Sequence, residues 1–350
     1  MKKVSIKEIA RLANVSIGTV DRVLHNRGRV AKKTEQKIRR IISELKYKPN
    51  IFARNLKLDK TYHFGVLMPE SHQDSHYWEL PLEGIKRAAK ELGPLKVRVH
   101  HYFFNRDKEE SFFLQAQRAL NDNLDGLIIA PILLEATQNF IKEIPKAMPY
   151  VFFDSHIPRA KPLTIVGQNC LQAGRLAAHL MNLLLPDGGD ISITRSVPRD
   201  YHIDQRVEGF VSFMKGKKQF RLKVYDVMFH QSISGYSEIT KKMLADAPKL
   251  KGMFVTTANT HPFAFTLASL TLPQRVAIIG FDLIEENVQL VNKGVIDFLI
   301  SQKPEVQGYQ SVYSLYRHLI IGEPVPAEIL MPLTIITKEN IDGSGLNNWI

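Results

Sequence analysis

From His63 onward the chain alternates short β-branched or aromatic runs with longer amphipathic stretches, and this alternation restricts the fold more than any other feature. Phe64-Gly65-Val66-Leu67-Met68, Val97-Arg98-Val99, Gly126-Leu127-Ile128-Ile129-Ala130 and Tyr150-Val151-Phe152-Phe153 read as strands. Helical spacing of apolar residues between them predicts helices near 80–92, 108–122 and 137–147. The pattern resumes after Gly167, with strands near 190–194, 222–229, 252–256 and 275–280 and helices near 170–185, 204–217, 234–245 and 262–270. Repeated strand–helix units give parallel sheets covered on both faces, here arranged as two α/β lobes.

A chain of 350 residues exceeds one ordinary core, so a small domain is expected beside this large one. The formal charge of +12 locates it. Residues 1–60 hold 17 Lys and Arg against 5 Asp and Glu, whereas residues 61–350 hold 30 of each. A basic segment joined to a neutral body suits phosphate-backbone binding by counterion release, although an anionic membrane surface would also attract it. The single cysteine, Cys170, excludes an internal disulfide framework and any multi-cysteine zinc site. Lys7, Glu8 and Arg11 stand where a signal peptide needs an apolar core, and no apolar run approaches the ~20 residues of a membrane span, so the expected location is the cytoplasm.

Within the basic segment, Ser5-Ile6-Lys7-Glu8 fits a capping box, and Ile9, Ala10, Leu12 and Ala13 give the helix that follows one apolar side. After Asn14 and Val15, Ser16 is a fresh N-cap for a helix in which Val20, Val23 and Leu24 share a face. A loop marked by Asn26 and Gly28 leads to a third helix with Ile38, Ile41, Ile42 and Leu45 on one face and Lys32, Lys33, Lys37, Arg39 and Arg40 on the other. In a helix-turn-helix the second helix enters the major groove, its first residues meeting base edges while its N-terminus and hydroxyls take phosphates. That assigns Ile17, Gly18 and Arg22 to bases and Ser16 and Thr19 to the backbone. Arg22 is the strongest candidate, since a guanidinium pairs bidentately with guanine. The plainer alternative is a three-helix packing module whose basic face is merely solvated.

Residues 4–57, with Ile6-Lys7-Glu8-Ile9-Ala10, Val15-Ser16, Thr19-Val20, Arg22-Val23-Leu24, Pro49-Asn50, Ala53-Arg54 and Leu56, resemble the head and hinge of the lactose-repressor (LacI) family. The resemblance implies DNA contacts at Ser5, Ile6, Ser16, Ile17, Gly18, Thr19, Arg22, Asn26, Asn50, Ala53, Arg54 and Leu56. It further implies a hinge helix that orders in a dimer, Leu56 wedging a base step in the minor groove while Ala53 lines it. Asp21 departs from the family's usual serine and is expected to point away from phosphate, paired with an Arg or Lys, the sharper alternative being a carboxylate that selects a cytosine amino group.

The body carries Gly84-Ile85 with Ala88-Ala89, Phe153-Asp154, Gly167-Gln168-Asn169 with Ala173-Gly174, Arg206 with Gly209-Phe210, and Gly280-Phe281-Asp282. It thereby resembles the type I periplasmic-binding-protein core that the family uses as its effector domain. That resemblance implies a cleft between lobes crossed by three strands near 162–168, 298–304 and 327–333. Its cleft positions match Asp154, Arg206, Asn259, Asp282 and Gln302, with Asp74, Tyr77 and Trp78 after the first strand. Carboxylates, amides and a guanidinium that exchange paired hydrogen bonds, beside an aromatic platform, suit a sugar or sugar derivative. Plainer readings stay open: Asp154, Asn259 and Asp282 as strand-end caps, Tyr77 and Trp78 as core aromatics, Arg206 in an internal ion pair. The family's usual aspartate after Asn259 is replaced by Thr260.

The expected organisation is a helix-turn-helix domain over 1–48, a hinge over 49–61 and a ligand-binding domain over 62–345. Its first lobe would comprise 62–165 and 302–329, and its second 166–301 and 330–345. No Gly-x-Gly-x-x-Gly follows a strand, and no P-loop, Gly-x-Ser-x-Gly elbow or His-Glu-x-x-His is present, so catalytic residues, metal and cofactor are all expected to be none. The expectation is a homodimeric, sugar-controlled transcription regulator of the repressor type on a near-palindromic DNA operator, with tetramers also compatible and no membrane contact. The rival is an α/β sugar- or phosphosugar-acting enzyme fused to a DNA-binding head.

Overall fold

The computed structural model describes residues 6–24, 28, 30–45, 60–228 and 233–341. Ser5, Asn26, Asn50, Ala53, Arg54 and Leu56, and with them the capping box and the hinge, lie outside the described residues. Contacts divide the chain into two compact units, Met1–Lys60 and Thr61–Ile350.

The first unit packs α1 (Ile6–Ala13), α2 (Ile17–Leu24) and α3 (Lys32–Glu44). Asn14 adopts the left-handed conformation at φ 57° and ends α1, which lets Val15 N–H reach back to Ala10 O at 3.0 Å. Two residues later Ser16 Oγ accepts from Thr19 N–H at 3.1 Å and starts α2, so the tight turn is capped on both sides. The core is small, with Ile9, Ala10, Ala13, Val20, Val23 and Ile38 buried and Ile41, Ile42 and Leu45 packed against them. At about 1.5–3 kcal/mol per large aliphatic side chain, such a core sustains a three-helix unit with little reserve. The outer face of α3 is laced by ion pairs one turn apart, Arg39–Glu35 at 2.8 Å and Arg40–Glu44 at 2.7 Å.

The second unit has two six-stranded sheets. The first contains β1 (Tyr62–Pro69), β2 (Val97–Phe104), β3 (Gly126–Ile129), β4 (Tyr150–Phe153), β5 (Thr164–Gly167) and β11 (Glu328–Leu330), in the order β11-β5-β4-β3-β1-β2. The second contains β6 (Gly189–Val197), β7 (Phe220–Met228), β8 (Leu250–Phe254), β9 (Ala277–Phe281), β10 (Phe298–Ser301) and β12 (Thr334–Ile336), in the order β12-β10-β9-β8-β6-β7. Helices α4 (Glu79–Leu92), α5 (Glu109–Asn121), α6 (Leu134–Glu143) and α12 (Pro304–Tyr316) belong to the first lobe. Helices α7 (Cys170–Leu184), α8 (Tyr201–Met214), α9 (Ile233–Asp246), α10 (His261–Ser269) and α11 (Glu285–Asn292) belong to the second.

The chain crosses between lobes after β5, β10 and β11. All pairings are parallel except β10 with β12, a departure from the wholly parallel sheets expected. The direction of crossing explains it. β10 leads out of the second lobe and β12 arrives from the first, so they run oppositely, whereas β5 and β11 both leave the first lobe and pair in parallel.

Glycines set the closest helix contacts in each lobe. A Cβ on Gly84 of α4 would sit 1.8 Å from Glu305 O of α12, and one on Gly174 of α7 would sit 1.9 Å from Arg206 O of α8. Only hydrogen at these positions permits the approach, and in the second lobe it fixes the backbone that carries Arg206.

Candidate effector cleft and DNA-reading helix

Ile17, Gly18 and Arg22 are exposed on α2, opposite the buried Val20 and Val23, while Ser16 is exposed and Thr19 half-buried at its N-terminus. Ile17 is 45% exposed, unusual for isoleucine in a unit with so small a core. Ser16 and Thr19 hydroxyls also meet each other at 2.9 Å. Ile6, at the start of α1, is half-buried against the head core.

Between the lobes lies a narrow cavity of about 30 Å³, room for little more than a water, so the cleft as it stands is closed and must widen to take a larger ligand. Asp74, Tyr77, Trp78, Asp154, Arg206, Asn259, Asp282 and Gln302, the eight residues named from the sequence, all line it. Asp154 and Asp282 stand at corresponding places, each directly after the phenylalanine that ends β4 or β9 and each left-handed, at φ 68° and 63°. Such backbone costs a non-glycine residue about 1–2 kcal/mol and needs surrounding bonds to hold it. Gln307 Oε1 accepts from Asp154 N–H at 3.0 Å, and Asn287 Nδ2 donates to Phe281 O and Asp282 O at 3.0 and 3.2 Å. Asp74, Ser75 and His76 are left-handed in succession, and this turn brings Asp74 and Ser75 to the cleft.

Hydrogen bonds tie the lining residues together in several groups. Tyr77 donates to Asp154 Oδ1 at 2.5 Å, and Trp78 Nε1 donates to Asp74 at 2.6 Å. Arg206 donates to Thr256 O at 2.6 Å and Gln302 Oε1 at 3.1 Å with its guanidinium 3.8 Å from the centre of the Phe281 ring, and Gln302 Nε2 donates to Asp282 at 2.9 Å. Arg206 thus forms no direct ion pair in these groups. Among the buried lining atoms that have no hydrogen-bond partner are Asp282 Oδ1, Arg206 Nε and Asn259 Nδ2. One acceptor and two donors without partners are costly unless a ligand satisfies them. Trp78 is 1% exposed and packs edge-on against Tyr77 and Phe153, so it joins the wall as a core aromatic with its indole N–H committed.

Electrostatics follow from burial. Burial pushes the Asp282 carboxyl up to about 7, Arg206 and Gln302 opposing the rise and Asp154 and Glu305 adding to it. Burial also raises the Tyr77 phenol well above its ordinary range, with the nearby Asp154 and Asp282 charges adding.

Arg106, Asp200 and His202 also line the cavity and were not picked out from the sequence. Arg106 follows β2 and pairs with Asp74; Asp200 caps α8 and lies 2.7 Å from His202 Nδ1. Burial alone would lower the Arg106 pKa, but Asp74 and Asp200 raise it. Burial alone would raise that of Asp200, but His202 and Arg106 hold it below the ordinary carboxylate range. The rule that found Asp154 and Asp282, position just past a strand's C-terminus, applies equally to Arg106. It was missed because β2 extends to Phe104, well beyond Val97–Val99. Asp200 and His202 were missed because α8 begins at Tyr201, not near 204.

Residues 5–50 match the bacterial regulatory proteins of the LacI family, and residues 64–324 match a periplasmic binding protein domain. The chain is 26% identical over 287 residues to the ribose operon repressor of Escherichia coli (strain K12), covering 80% of this chain and 83% of that one. A solved structure described as a LacI transcriptional regulator from Bacteroides fragilis superimposes with a TM-score of 0.74 at 28% identity, over 81% of this chain and 99% of that one. A glucose-galactose binding protein from Geobacillus stearothermophilus superimposes with a TM-score of 0.73 at 25% identity, over 81% and 99%. The chain is therefore a two-part regulator with a DNA-binding head and a ligand-binding body, and it belongs to the LacI family of bacterial regulatory proteins. It works as a DNA-binding transcription regulator under small-molecule control and not as an enzyme. Among the described residues no helix is long and apolar enough to cross a membrane.

Proposed function

We propose that the chain acts in the cytoplasm as a homodimer whose two heads read the half-sites of a near-palindromic operator, with a monosaccharide in the interlobe cleft controlling that grip. The observation that carries this reading is the set of unpartnered buried groups, Asp282 Oδ1, Arg206 Nε and Asn259 Nδ2, around the interlobe cavity. Neighbouring sugar hydroxyls both donate and accept, and so match such a mixed set. The fold shared with a protein named for binding glucose and galactose supports the sugar class.

In the head, Arg22 and Ile17 read base edges and Ser16 and Thr19 hold phosphates. The segment over 49–61, with Asn50, Ala53, Arg54 and Leu56, joins head to body and enters the minor groove. Ligand in the cleft changes the relation of the lobes, hence the packing of the two copies and the spacing of their heads. The full-length chain should select a near-palindromic sequence from a random duplex pool, and one or more monosaccharides should change its affinity for that duplex at least tenfold. Selection of no sequence would remove the operator reading; indifference to every sugar would remove the effector reading.

A further inference from the structure

The second crossing between the lobes turns on Gln302 and Lys303, which lie between the end of β10 at Ser301 and the start of α12 at Pro304. Lys303 is left-handed at φ 56°, a conformation that its own side chain and the proline after it both disfavour. Such a corner persists where its surroundings over-determine it. Lys303 N–H donates to Ser301 Oγ at 3.3 Å, and the remaining restraint comes from Gln307, in the first turns of α12 and 0% exposed. Gln307 Nε2 donates to Gln302 O at 2.9 Å and its backbone N–H to Lys303 O at 3.0 Å, so one residue holds both carbonyls of the corner.

The other end of the same amide faces the cleft. Gln307 Oε1 accepts from Asp154 N–H at 3.0 Å, beside the bond that this N–H makes to Val166 O of β5. Gln302 turns its side chain toward the opposite lobe, where Nε2 donates to Asp282 and Oε1 accepts from Arg206. That oxygen also accepts from Gln168 Nε2 at 2.5 Å, and Gln168 stands on the first crossing, directly after β5. Two glutamines therefore connect Asp154 on one wall with Asp282 and Arg206 on the other through the backbone of a crossing, and every bond in the path is buried.

We infer that Gln307 is a positioning residue of the hinge: by bonding Gln302 O and Asp154 N–H at once, it makes the angle between the lobes and the placement of the two cleft aspartates a single variable. The role needs a side chain that donates on one side and accepts on the other, which an amide does. Without it Lys303 is free to relax toward the extended region, and α12, packed on α4 of the first lobe, swings relative to β10 of the second. With it, a ligand that moves Asp282 or Arg206 acts on Gln302, and Gln307 passes the displacement to Asp154. That last consequence rests on the effector reading of the cleft given above; the brace itself does not.

Pulsed electron spin resonance on the full-length chain tests this and requires no ligand. Spin labels at Glu109→Cys and Glu285→Cys, exposed positions at the starts of α5 and α11 in opposite lobes, report the interlobe distance in a Cys170→Ser background. Excess unlabelled chain suppresses distances between copies. The expected result is one narrow distance when Gln307 is intact and a distribution about twofold or more broader in Gln307→Met and Gln307→Asn. Methionine keeps the length without the amide, and asparagine keeps the amide but is one methylene too short to span both partners. A variant with wild-type circular dichroism and a lowered thermal midpoint that still shows the narrow distance makes Gln307 a packing residue only and overturns the inference. A broad distribution with Gln307 intact overturns it as well, whether or not either variant folds. Both failures leave the sugar reading standing, because no effector enters the measurement; indifference to every sugar removes that reading and leaves the brace in place.

Discussion

Ser75 of the first lobe donates to Asn259 Oδ1 of the second at 2.5 Å, so the walls of the cleft touch directly across the ligand cavity. Ser155 and Asp200 make a second such contact at 3.3 Å. A hydrogen bond of this kind contributes about 0.5–1.5 kcal/mol, enough to bias two lobes joined by three crossings without locking them. Ser75→Ala should reduce effector affinity by about 2–10-fold while leaving effector-free operator affinity unchanged. Titration of sugar into the operator complex checks this; an unaltered effector midpoint would separate the contact from the closing motion.

Gly174→Ala tests the packing that places Arg206. The new methyl group lies 1.9 Å from Arg206 O, too close for any rotamer to relieve, so α7 and α8 must part. Overpacking of this kind costs about 1–3 kcal/mol. The thermal midpoint should fall by several degrees, and effector affinity should fall with it because Arg206 shifts. A midpoint within one degree of wild type would show that the helices have slack that their spacing does not suggest.

Asp282 should be a residue where function opposes stability. Its folded pKa of about 7 is raised above the ordinary 3.8, so the folded chain holds this proton more tightly than the unfolded chain does. The native state therefore loses stability as pH rises from about 4 to 7 and keeps that deficit above 7. Asp282→Asn should raise unfolding stability at pH 8 by on the order of 1–3 kcal/mol, read as a higher thermal midpoint, and change it little at pH 4. The same variant should lose effector response. A lower midpoint at pH 8 would mean that the carboxylate's bonds outweigh its burial.

In the head, Gly18→Ala should leave the fold intact, because the nearest atom to a Cβ there is Ser16 Oγ at 3.7 Å, an ordinary contact. Any change in operator preference would then report a methyl group meeting DNA. Arg22→Ala should lower discrimination by about 1–3 kcal/mol at one base pair in each half-site. Competition with scrambled duplex distinguishes the roles, since an equal loss on all sequences would make Arg22 a phosphate contact.

Operator affinity should fall about a thousandfold or more between 50 and 200 mM salt if six or more phosphates are contacted. A flat response, measured by fluorescence anisotropy, would contradict the role assigned to the basic segment.

The sequence by itself determined the elements, the two-part plan and most of the cleft lining. Alternating apolar runs, capping residues such as Ser16 and the concentration of positive charge before residue 61 are local or compositional signals, legible without contacts. Asp154, Asp282 and Gln302 were legible because open α/β sheets gather ligand groups beyond strand ends, and the family resemblance fixed which strand ends. Tertiary structure alone decided how those groups are paired. It committed Trp78 to Asp74, left Asp282 Oδ1 without a donor, and brought Arg106, Asp200 and His202 into one cavity. Those contacts join residues far apart along the chain. Their strengths depend on desolvation, which only the packed lobes impose, so no periodicity or spacing in the sequence records them.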